Sequence, residues 1–527
     1  MKKIYSSAII LSLCGLGTAA QNLSTEVVVD RDIIPVQHEA SRPLWLMPSL
    51  VMPPTSPTPL EIAEYSSPAS IAADYVPLQP LGGESVPEKS PYKGYFVAGY
   101  FHILDIAVDA GYRFIDTEKT TFGAHAGFLS EKYSADIVPE AKAKFRSANA
   151  NAALNFSWRP VRASRLDAYA RYSFMSDETP YWSSQNLNSG NLRLKWQQNV
   201  SNFAYEASLT GSFDKYGSCT PVNEAPVNGI SQQQAAFDAD GRYSFGPSAA
   251  GLCIGADYLH APGDAEGALG ITPYYSYSSK VFSARVGVRL DIAEKFSVMP
   301  DIKLRFTPSA PVALWAHITG GTRSNPFSLL RQVSVYQIFT HQFSASRIPV
   351  EVNGGLNIGP FKGVYAGLFG GYAIADHWLE MSAESLSPFT ARNIKGWHAG
   401  LKIGAEWRIL TTEASVEFAP SSADRAWLYF RDRAGLVVNA SVELQPVSPL
   451  SVRLSYQFRD KRKGYTPEGL PLPLGSVSDL SAGASWQFSG ALSVFARGEN
   501  LLCRRYSLLP GLPSRSVSAL LGLSLQF

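Results

Sequence analysis

Apolar and polar side chains alternate one by one over long stretches between residues 92 and 527. In residues 282–292, for example, Val286 and Val288 face the opposite side from Arg285 and Arg289. A period of two residues is the period of a β-strand. The pattern therefore predicts a chain built from strands. The same alternation recurs in residues 104–114, 397–409 and 450–459.

The length of these stretches distinguishes two kinds of all-β protein. They run for about ten to thirteen residues, whereas strands in soluble sheets average about five or six. A tilted strand of about 9–11 residues crosses a bilayer, with one face toward lipid and the other toward an inner space. The sequence therefore predicts an all-β fold, a transmembrane antiparallel β-barrel over residues 92–527, rather than a soluble sandwich.

The connections between the 22 strand candidates form two alternating classes. Outer-membrane barrels of Gram-negative bacteria have an even number of strands, short periplasmic turns and long extracellular loops. We therefore expect about 22 strands with both termini in the periplasm. The short class is 116–120, 159–164, 200–202, 246–249, 278–280, 307–311, 359–362, 410–412, 445–449 and 489–491. The long class is 176–189, 215–233, 324–347, 375–395, 420–433, 460–478 and 500–516.

Composition agrees with a barrel and excludes other classes. Charged residues are 17% of the chain, below the roughly 25% of soluble domains, and aromatic residues are 12%. After residue 20 there is no apolar run of about 18 residues, so no transmembrane helix is predicted. The net charge of +2 does not indicate a nucleic-acid partner.

Residues 1–20 have the three parts of a secretory signal peptide. Lys2 and Lys3 form a basic start, residues 4–16 an apolar core, and residues 18–20 a small-residue cleavage site. We therefore expect export and removal of this leader. Three cysteines would remain, an odd number, so a full disulfide framework is not implied, although a Cys219–Cys253 pair is one alternative.

Residues 21–91 lack periodicity and are rich in proline. Residues 43–91 contain eleven prolines, too many for helices or central strands. One interpretation is an extended periplasmic segment. The other is a strap that docks on a partner or in the barrel's lumen, because an apolar run would otherwise be exposed. This run is Leu44, Trp45, Leu46, Met47, Leu50 and Val51.

A barrel of about 22 strands encloses a wide lumen, and an open one would defeat the membrane barrier. We therefore expect the strap, a partner protein or inward-folding loops to occlude it. The candidate loops are 215–233, 324–347 and 375–395, and residues 326–331 in the second are a candidate short helix.

Candidate chemistry is sparse. The eight histidines show no metal-ligand spacing, and neither a phosphate-binding glycine loop nor a nucleophile elbow is present. Asp105, Asp109 and Arg113 share one strand face, which indicates charges lining a lumen rather than a catalytic site. We therefore predict a protein that is not an enzyme and uses no cofactor. The basic run 459–463 is either a contact for anionic outer-membrane lipid or a solvated loop.

The last hairpin resembles the barrels of TonB-dependent receptors. The resemblance lies in residues 498–502. It continues in Tyr506, the pair Pro510-Gly511, Arg515 and the terminal Phe527. It implies a receptor-like barrel that the barrel assembly machinery recognises through its C-terminal strand. Near the mature N-terminus, Thr25, Glu26, Val27, Val28 and Val29 resemble the family's energy-coupling box. The barrel-closing residues of the resemblance are Asn500, Leu501, Tyr506, Arg515 and Phe527.

The chain departs from this family at its N-terminus. The family's plug domain is about twice as long as segment 21–91 and is mixed α/β, and no plug is apparent in this sequence. The resemblance implies transport or uptake of a bulky solute. The missing plug and the apolar strap support an alternative, a non-enzymatic scaffold or accessory subunit of an outer-membrane assembly or surface complex with a periplasmic or outer-membrane protein partner.

Overall fold

The computed structural model describes residues 92–101, 105–138, 141–161, 163–179, 182–220, 225–309, 311–333, 341–381, 389–419, 435–465, 471–509 and 512–527. The predicted leader, the energy-coupling box at 25–29 and the strap at 44–51 lie outside these residues. The described residues form one antiparallel sheet of 22 strands that closes on itself.

The barrel strands have the following bounds: β1 Gly94–Phe101, β2 Asp105–Asp116, β3 Thr120–Val138, β4 Ala141–Trp158, β5 Ser164–Thr179, β6 Trp182–Val200, β7 Phe203–Tyr216, β8 Ser231–Phe245, β9 Ser248–Ala261, β10 Asp264–Ser278, β11 Phe282–Ile292, β12 Phe296–Ser309, β13 Val312–Arg323, β14 Ser346–Phe361, β15 Val364–Met381, β16 Phe389–Glu406, β17 Leu410–Phe418, β18 Leu436–Val447, β19 Leu450–Asp460, β22 Val477–Gln487, β23 Leu492–Glu499 and β26 Ser518–Gln526. Two small hairpins stand outside the barrel sheet, β20 Arg462–Tyr465 with β21 Pro471–Leu474, and β24 Ser507–Leu509 with β25 Leu512–Pro513.

The first and last strands close the barrel. β1 pairs antiparallel with β26, from Tyr95 opposite Gln526 to Phe101 opposite Leu520. The backbone N–H groups of Lys93 and Gly94 donate to the Phe527 carbonyl at 2.9 and 2.7 Å. Closure leaves no unpaired strand edge, so the predicted barrel of about 22 strands is confirmed.

The two ends of the barrel differ in their connections. At one end, which we call the turn end, ten connections of two to five residues lie beside Tyr92 and Phe527. The opposite end, the loop end, carries the long connections. Nine of the predicted short connections lie at or beside the observed turns. The tenth is displaced, because residues 407–409 form the turn and Leu410 already begins β17. The alternation continues through Arg408 and Ile409, so the pattern extended the preceding strand too far.

Several predicted loops contain strands instead. In the predicted loop 176–189, Ser176 pairs with Asn186 and Asp177 with Gln185, as β5 and β6 continue toward residues 180–181. Most of 375–395 likewise belongs to β15 and β16. Loops 460–478 and 500–516 hold the two small hairpins. In these strand ends the strict alternation of apolar and polar positions is lost while the backbone pairing continues, so the sequence pattern no longer predicts a strand.

One short helix, α1 (Phe327–Val333), lies in the connection from β13 to β14, where the sequence predicts one. Among the residues that the structure describes, no helix is both long enough and apolar enough to cross a membrane.

Candidate functional site

The outer face of the barrel is a broad apolar surface. Large apolar side chains at alternate positions are about half exposed, for example Leu209 at 51%, Val286 at 50% and Leu368 at 53%. Their neighbours in sequence point inward and are mostly polar. An apolar outer face around a polar interior is the pattern of a transmembrane barrel.

Exposed aromatic residues form two rings around this surface. On β7, Phe203 lies toward the turn end and Phe213 toward the loop end, ten residues apart. Ten residues span about 33 Å along a strand, or about 25 Å along the axis of a barrel whose strands tilt by about 40°. That height matches the apolar band of outer-membrane barrels. The turn-end ring includes Tyr112, Phe114, Trp158, Phe203, Tyr243, Phe245, Tyr275, Tyr277, Phe282, Phe306, Phe361, Trp407, Trp486, Phe488 and Phe527, and the loop-end ring Tyr100, Phe128, Tyr172, Phe213, Tyr258, Phe296, Tyr372, Trp397 and Phe418.

Charged side chains on the inner wall are paired with one another. Arg285 lies 3.2 Å from an Asp301 carboxylate oxygen and 3.6 Å from one of Asp240. Its guanidinium also stacks over the Tyr274 ring, 3.7 Å from the centroid, and the Tyr274 hydroxyl donates to Asp240 at 2.7 Å. Charges removed from water require such partners. At this place the wall is therefore polar, and the charges of opposite sign lie close to one another.

The sequence-predicted charge ladder lies on this inner wall. Asp109 and Arg113 on β2 are both buried, at 2% and 4% exposed, and Arg113 pairs with Asp116 at 3.0 Å. The side chain of Asp105 lies outside the described part. Of the predicted ladder, Asp109 and Arg113 therefore line the lumen.

His398 of β16 belongs to a hydrogen-bonded chain elsewhere on the wall, with residues of β14 and β17. Its Nδ1 lies 2.9 Å from Glu417 Oε1 and its Nε2 lies 3.2 Å from Asn353 Oδ1. Asn353 in turn donates to Glu351 at 3.0 Å. Nowhere in the described ranges do three or more His, Cys, Asp or Glu side chains come together as a metal site.

Inward aromatic rings lie flat against the wall instead of filling the lumen. The Tyr274 ring covers Gly251 of β9, and the Tyr95 ring covers Gly111 of β2, so closely that a Cβ at either glycine would overlap the ring. Because the glycines have no side chain, these rings occupy the thickness of the wall. The lumen can therefore stay wide despite its aromatic residues.

The connection between β13 and β14, residues 324–345, has described residues 324–333 and 341–345 at the loop end, and we call it the lid. Phe327 of the lid is fully buried and meets Tyr216 of β7, with ring centroids 5.7 Å apart. Phe343 meets Phe389 of β16 at 5.4 Å. The lid cluster consists of Phe327, Leu330 and Phe343 with Leu187, Tyr216, Ile230 and Phe389, and Met175 and Leu379 pack against it.

The lid cluster joins two distant parts of the barrel wall. Seven strands, β8 to β14, separate β7 from β15 in the sheet. At about 4.8 Å per strand, the path along the wall from β7 to β15 is about 38 Å, far beyond the reach of a side chain. The lid completes the connection, because its Phe327 meets Tyr216 in the predicted loop 215–233 and its Phe343 meets Phe389 in the predicted loop 375–395. These are the three loops that the sequence offers as occluding candidates.

Polar contacts tie the lid to the inner wall. The Phe327 N–H donates to Gln232 Oε1 on β8 at 2.7 Å, and the Ala345 N–H donates to Glu266 Oε1 on β10 at 2.7 Å. Between them, the Ser324 hydroxyl donates to Asp257 of β9. Both ends of the lid are thus anchored on neighbouring strands β8 to β10.

The five residues of the barrel-closing resemblance occupy two separate places. Asn500 lies at the loop end, where its Nδ2 donates to the carbonyls of Arg504 and Arg515, both at 2.9 Å. Arg515 reaches Glu131 of β3 at 3.6 Å, and Leu501 is exposed in the same loop. Phe527 lies at the turn end, stacked on Tyr112 with centroids 6.2 Å apart.

Asp479 of β22 contacts Asn500 and Tyr506 at the loop end, and the sequence analysis did not predict a role for it. It accepts from the Asn500 N–H at 3.1 Å and from the Tyr506 hydroxyl at 3.0 Å. Burial and the neighbouring Asp479 carboxylate raise the pKa of Tyr506, and burial lowers the pKa of Arg515. Tyr506 therefore stays a protonated donor at ordinary pH. A single Asp on a preceding strand carries no sequence signal that would link it to this loop.

The Cys219–Cys253 disulfide that the sequence left open is not formed. Both residues are free thiols. Cys219 lies in the β7–β8 loop in a short bridge with Val227, and burial raises the pKa of its thiol, whereas Cys253 lies on the inner wall beside Arg285.

No protein-family model and no curated protein matches the sequence. Among solved structures, the chain is similar to a mutant ferric enterobactin receptor, PfeA, from Pseudomonas aeruginosa, with 11% identity, a TM-score of 0.62, and coverage of 83% of this chain and 81% of that one. It is also similar to the FrpB iron transporter from Neisseria meningitidis, with 11% identity, a TM-score of 0.64 and 83% coverage of both chains. The chain therefore has the barrel fold of TonB-dependent receptors.

Proposed function

We propose that this protein is an outer-membrane barrel that moves a bulky solute across that membrane, with the lid as its barrier at the loop end. The observation that carries the proposal is the lid cluster, which bridges the mouth of a closed 22-stranded barrel. A barrel of this size is too wide for its own side chains to fill. A barrier made of loops is the kind that can open to admit a solute.

The proposed orientation places the turn end, and with it Tyr92 and Phe527, in the periplasm. Short turns and long loops mark the periplasmic and extracellular sides of such barrels. The strand β26 and its terminal Phe527 are then presented to the barrel assembly machinery. The segment Thr25–Val29 would lie in the periplasm, where an energy-coupling partner is reached.

The inner wall indicates the chemistry of the solute. It presents paired charges of both signs and hydrogen-bonding side chains, such as Arg285, Asp301 and His398, and these suit a polar solute rather than a lipid. A ferric chelate is one solute of this kind, and the two similar structures are an iron transporter and a ferric enterobactin receptor. A lid anchored on three strands supports transport over the alternative of an accessory subunit, because a subunit that transports nothing has no need of a barrier over its lumen.

The test is a comparison of nutrient uptake in a strain that lacks this chain and in the same strain complemented with it. We expect the deletion to abolish growth on at least one bulky polar nutrient, such as a ferric chelate supplied as sole iron source. Purified full-length protein in planar bilayers should be mostly closed and open in discrete steps. Unchanged growth on every nutrient together with no conductance would contradict the proposal.

A further inference from the structure

The barrel wall is low at the loop end in the sector from β23 across β26 to β1. These three strands have 8, 9 and 8 residues, whereas β3 to β6 have 16 to 19. Eight residues of a strand tilted by about 40° rise about 21 Å, less than the roughly 25 Å of an apolar band. The outer surface of this sector is therefore completed at the loop end by the connection from β23 to β26.

The first turn of that connection places two leucines on the outer surface. Leu501 and Leu502 are 39% and 41% exposed, and the Leu501 side chain lies against Gly498 on the outer face of β23. Gly498 pairs with Ala482 of β22 on one side and with Ala519 of β26 on the other. This row of small residues lets the leucine lie close to the wall. The turn therefore prolongs the apolar outer surface toward the loop end.

Hydrogen bonds fix the backbone of this turn. The buried Asn500 side chain donates to the Arg504 carbonyl at 2.9 Å and accepts from the Arg504 N–H at 3.2 Å. The Cys503 N–H donates to the Asn500 carbonyl at 2.9 Å, and the Leu501 N–H donates to the Leu480 carbonyl of β22 at 2.8 Å. A surface that is already ordered loses less conformational entropy when it binds a partner.

Exposed basic side chains lie beside the leucines. Arg504 and Arg505 are exposed in the same turn, and Lys461 is exposed at the end of β19, which β22 separates from β23. The Lys461 Nζ lies 4.9 Å from the centroid of Phe418, a member of the loop-end aromatic ring. Such rings mark the boundary of the apolar band. The Lys461 ammonium therefore lies at that boundary, where Asp460 offsets part of the positive charge.

The other charged residues near the turn have partners inside the protein. Glu499 pairs with Arg497 at 2.7 Å, and Asp479 accepts from Asn500 and Tyr506. Arg462 is buried, and its Nη1 donates to the Gly475 carbonyl at 3.0 Å. The basic run 459–463 therefore divides between a buried Arg462 and an exposed Lys461.

We propose that Leu501, Leu502, Arg504, Arg505 and Lys461 form a binding surface for a phosphorylated glycolipid of the outer leaflet, of the lipid A type. Guanidinium and ammonium groups bind phosphate by charge-assisted hydrogen bonds, and exposed leucines at the membrane boundary bind acyl chains. The inference rests on the proposed orientation, with the loop end extracellular, and not on any transported solute. Because the surface lies on the outer face and at the boundary of the apolar band, its partner is a lipid.

The experiment measures binding of diphosphoryl lipid A to the purified full-length protein in non-ionic detergent by native mass spectrometry. We expect wild type to retain the lipid, and Lys461→Gln, Arg504→Gln and Arg505→Gln together to weaken its binding about tenfold. The matched control is Lys119→Gln, Arg159→Gln and Lys280→Gln, which removes three exposed basic side chains at the turn end. If the loop-end variant binds lipid A as tightly as wild type, the proposal is overturned.

Competing lipids identify the source of the phosphate. Monophosphoryl lipid A should bind severalfold more weakly than the diphosphoryl form, and phosphatidylglycerol should not displace lipid A at equal concentration. Equal displacement by phosphatidylglycerol would overturn the proposal, because the surface would then bind any anionic lipid. Weak lipid A binding by the loop-end variant with wild-type solute uptake would support a surface separate from transport. Intact lipid A binding without any uptake phenotype would count against the transport function alone.

Discussion

The two ends of this barrel are built on different principles. At the turn end, connections of two to five residues and a ring of exposed aromatic side chains follow from local sequence. At the loop end, the lid cluster joins Tyr216 of β7 to Phe389 of β16, and eight strands, β8 to β15, lie between these two along the wall. Local rules therefore suffice for the end that anchors the barrel in the membrane. The loop end depends on contacts between residues far apart in sequence.

The largest expected effect comes from breaking the lid cluster. Phe327→Ala removes a fully buried ring, and such truncations cost about 3–5 kcal/mol of local stability. The barrel should stay folded because its hydrogen-bonded sheet is untouched, while the lid opens. We expect a higher planar-bilayer conductance and faster hydrogen exchange in residues 324–333. Phe213→Ala on the outer face is the control, and equal conductance in both variants would show that the lid is not a barrier.

A smaller effect is expected from Asp479, the acceptor of two hydrogen bonds from the loop at residues 500–517, also at the loop end. Asp479→Asn weakens the acceptor of the Asn500 N–H and the Tyr506 hydroxyl, and hydrogen bonds to charged groups contribute about 1.5–3 kcal/mol. The loop of residues 500–517 should become several times more sensitive to protease in intact cells. Asp264→Asn, at an exposed turn, is the control and should leave the cleavage rate unchanged. If the Asp479 variant is cleaved no faster than wild type, Asp479 does not hold this loop.

The hydroxyl of Tyr506 gives a pH dependence of about 1.5 kcal/mol, the low end of the range for one hydrogen bond to a charged group. Its pKa is raised in the folded protein, so its contribution is complete below the ordinary tyrosine value of about 10 and is lost as the pH rises through the higher folded value. Protease sensitivity of the loop should therefore rise steeply in strong alkali for wild type. In Tyr506→Phe the protease sensitivity should be higher than in wild type already at neutral pH, and it should increase less in alkali. If the sensitivities of the two proteins change with pH in the same way, the Tyr506 hydroxyl does not stabilise the loop.

The smallest equilibrium effect is expected at the turn end. Phe527→Ala removes one partner of the stacked pair with Tyr112, worth about 0.5 kcal/mol for rings that are about half exposed. Denaturant midpoints of the folded barrel should barely move, whereas the assembled fraction, seen as the heat-modifiable band on gels, should fall. Leu525→Ala is the matched control, and identical assembly of the two variants would remove the special role of the terminal aromatic.

The errors of the sequence prediction lie at the ends of the strands, where the alternation of apolar and polar residues no longer matches the extent of the strand. The turn at residues 407–409 was displaced because Arg408 and Ile409 continue the alternation, although the Trp407 N–H already donates to the Leu410 carbonyl across the turn at 2.8 Å. The sequence predicts a loop at 176–189 because apolar and polar positions do not alternate there. Alternation reports lipid contact and not backbone pairing, so it was reliable within the apolar band and failed beyond it.

By itself, the sequence determined a count of about 22 strands, the alternation of short and long connections and, in the stretches with a clear two-residue period, the face that is apolar, because the bilayer imposes this period on a crossing strand. Only the tertiary structure decided which loops meet over the mouth, and that Asp479 holds Asn500 and Tyr506. Those contacts join residues whose spacing along the chain follows no period, so only the closed barrel, which brings distant strands to one rim, makes them visible.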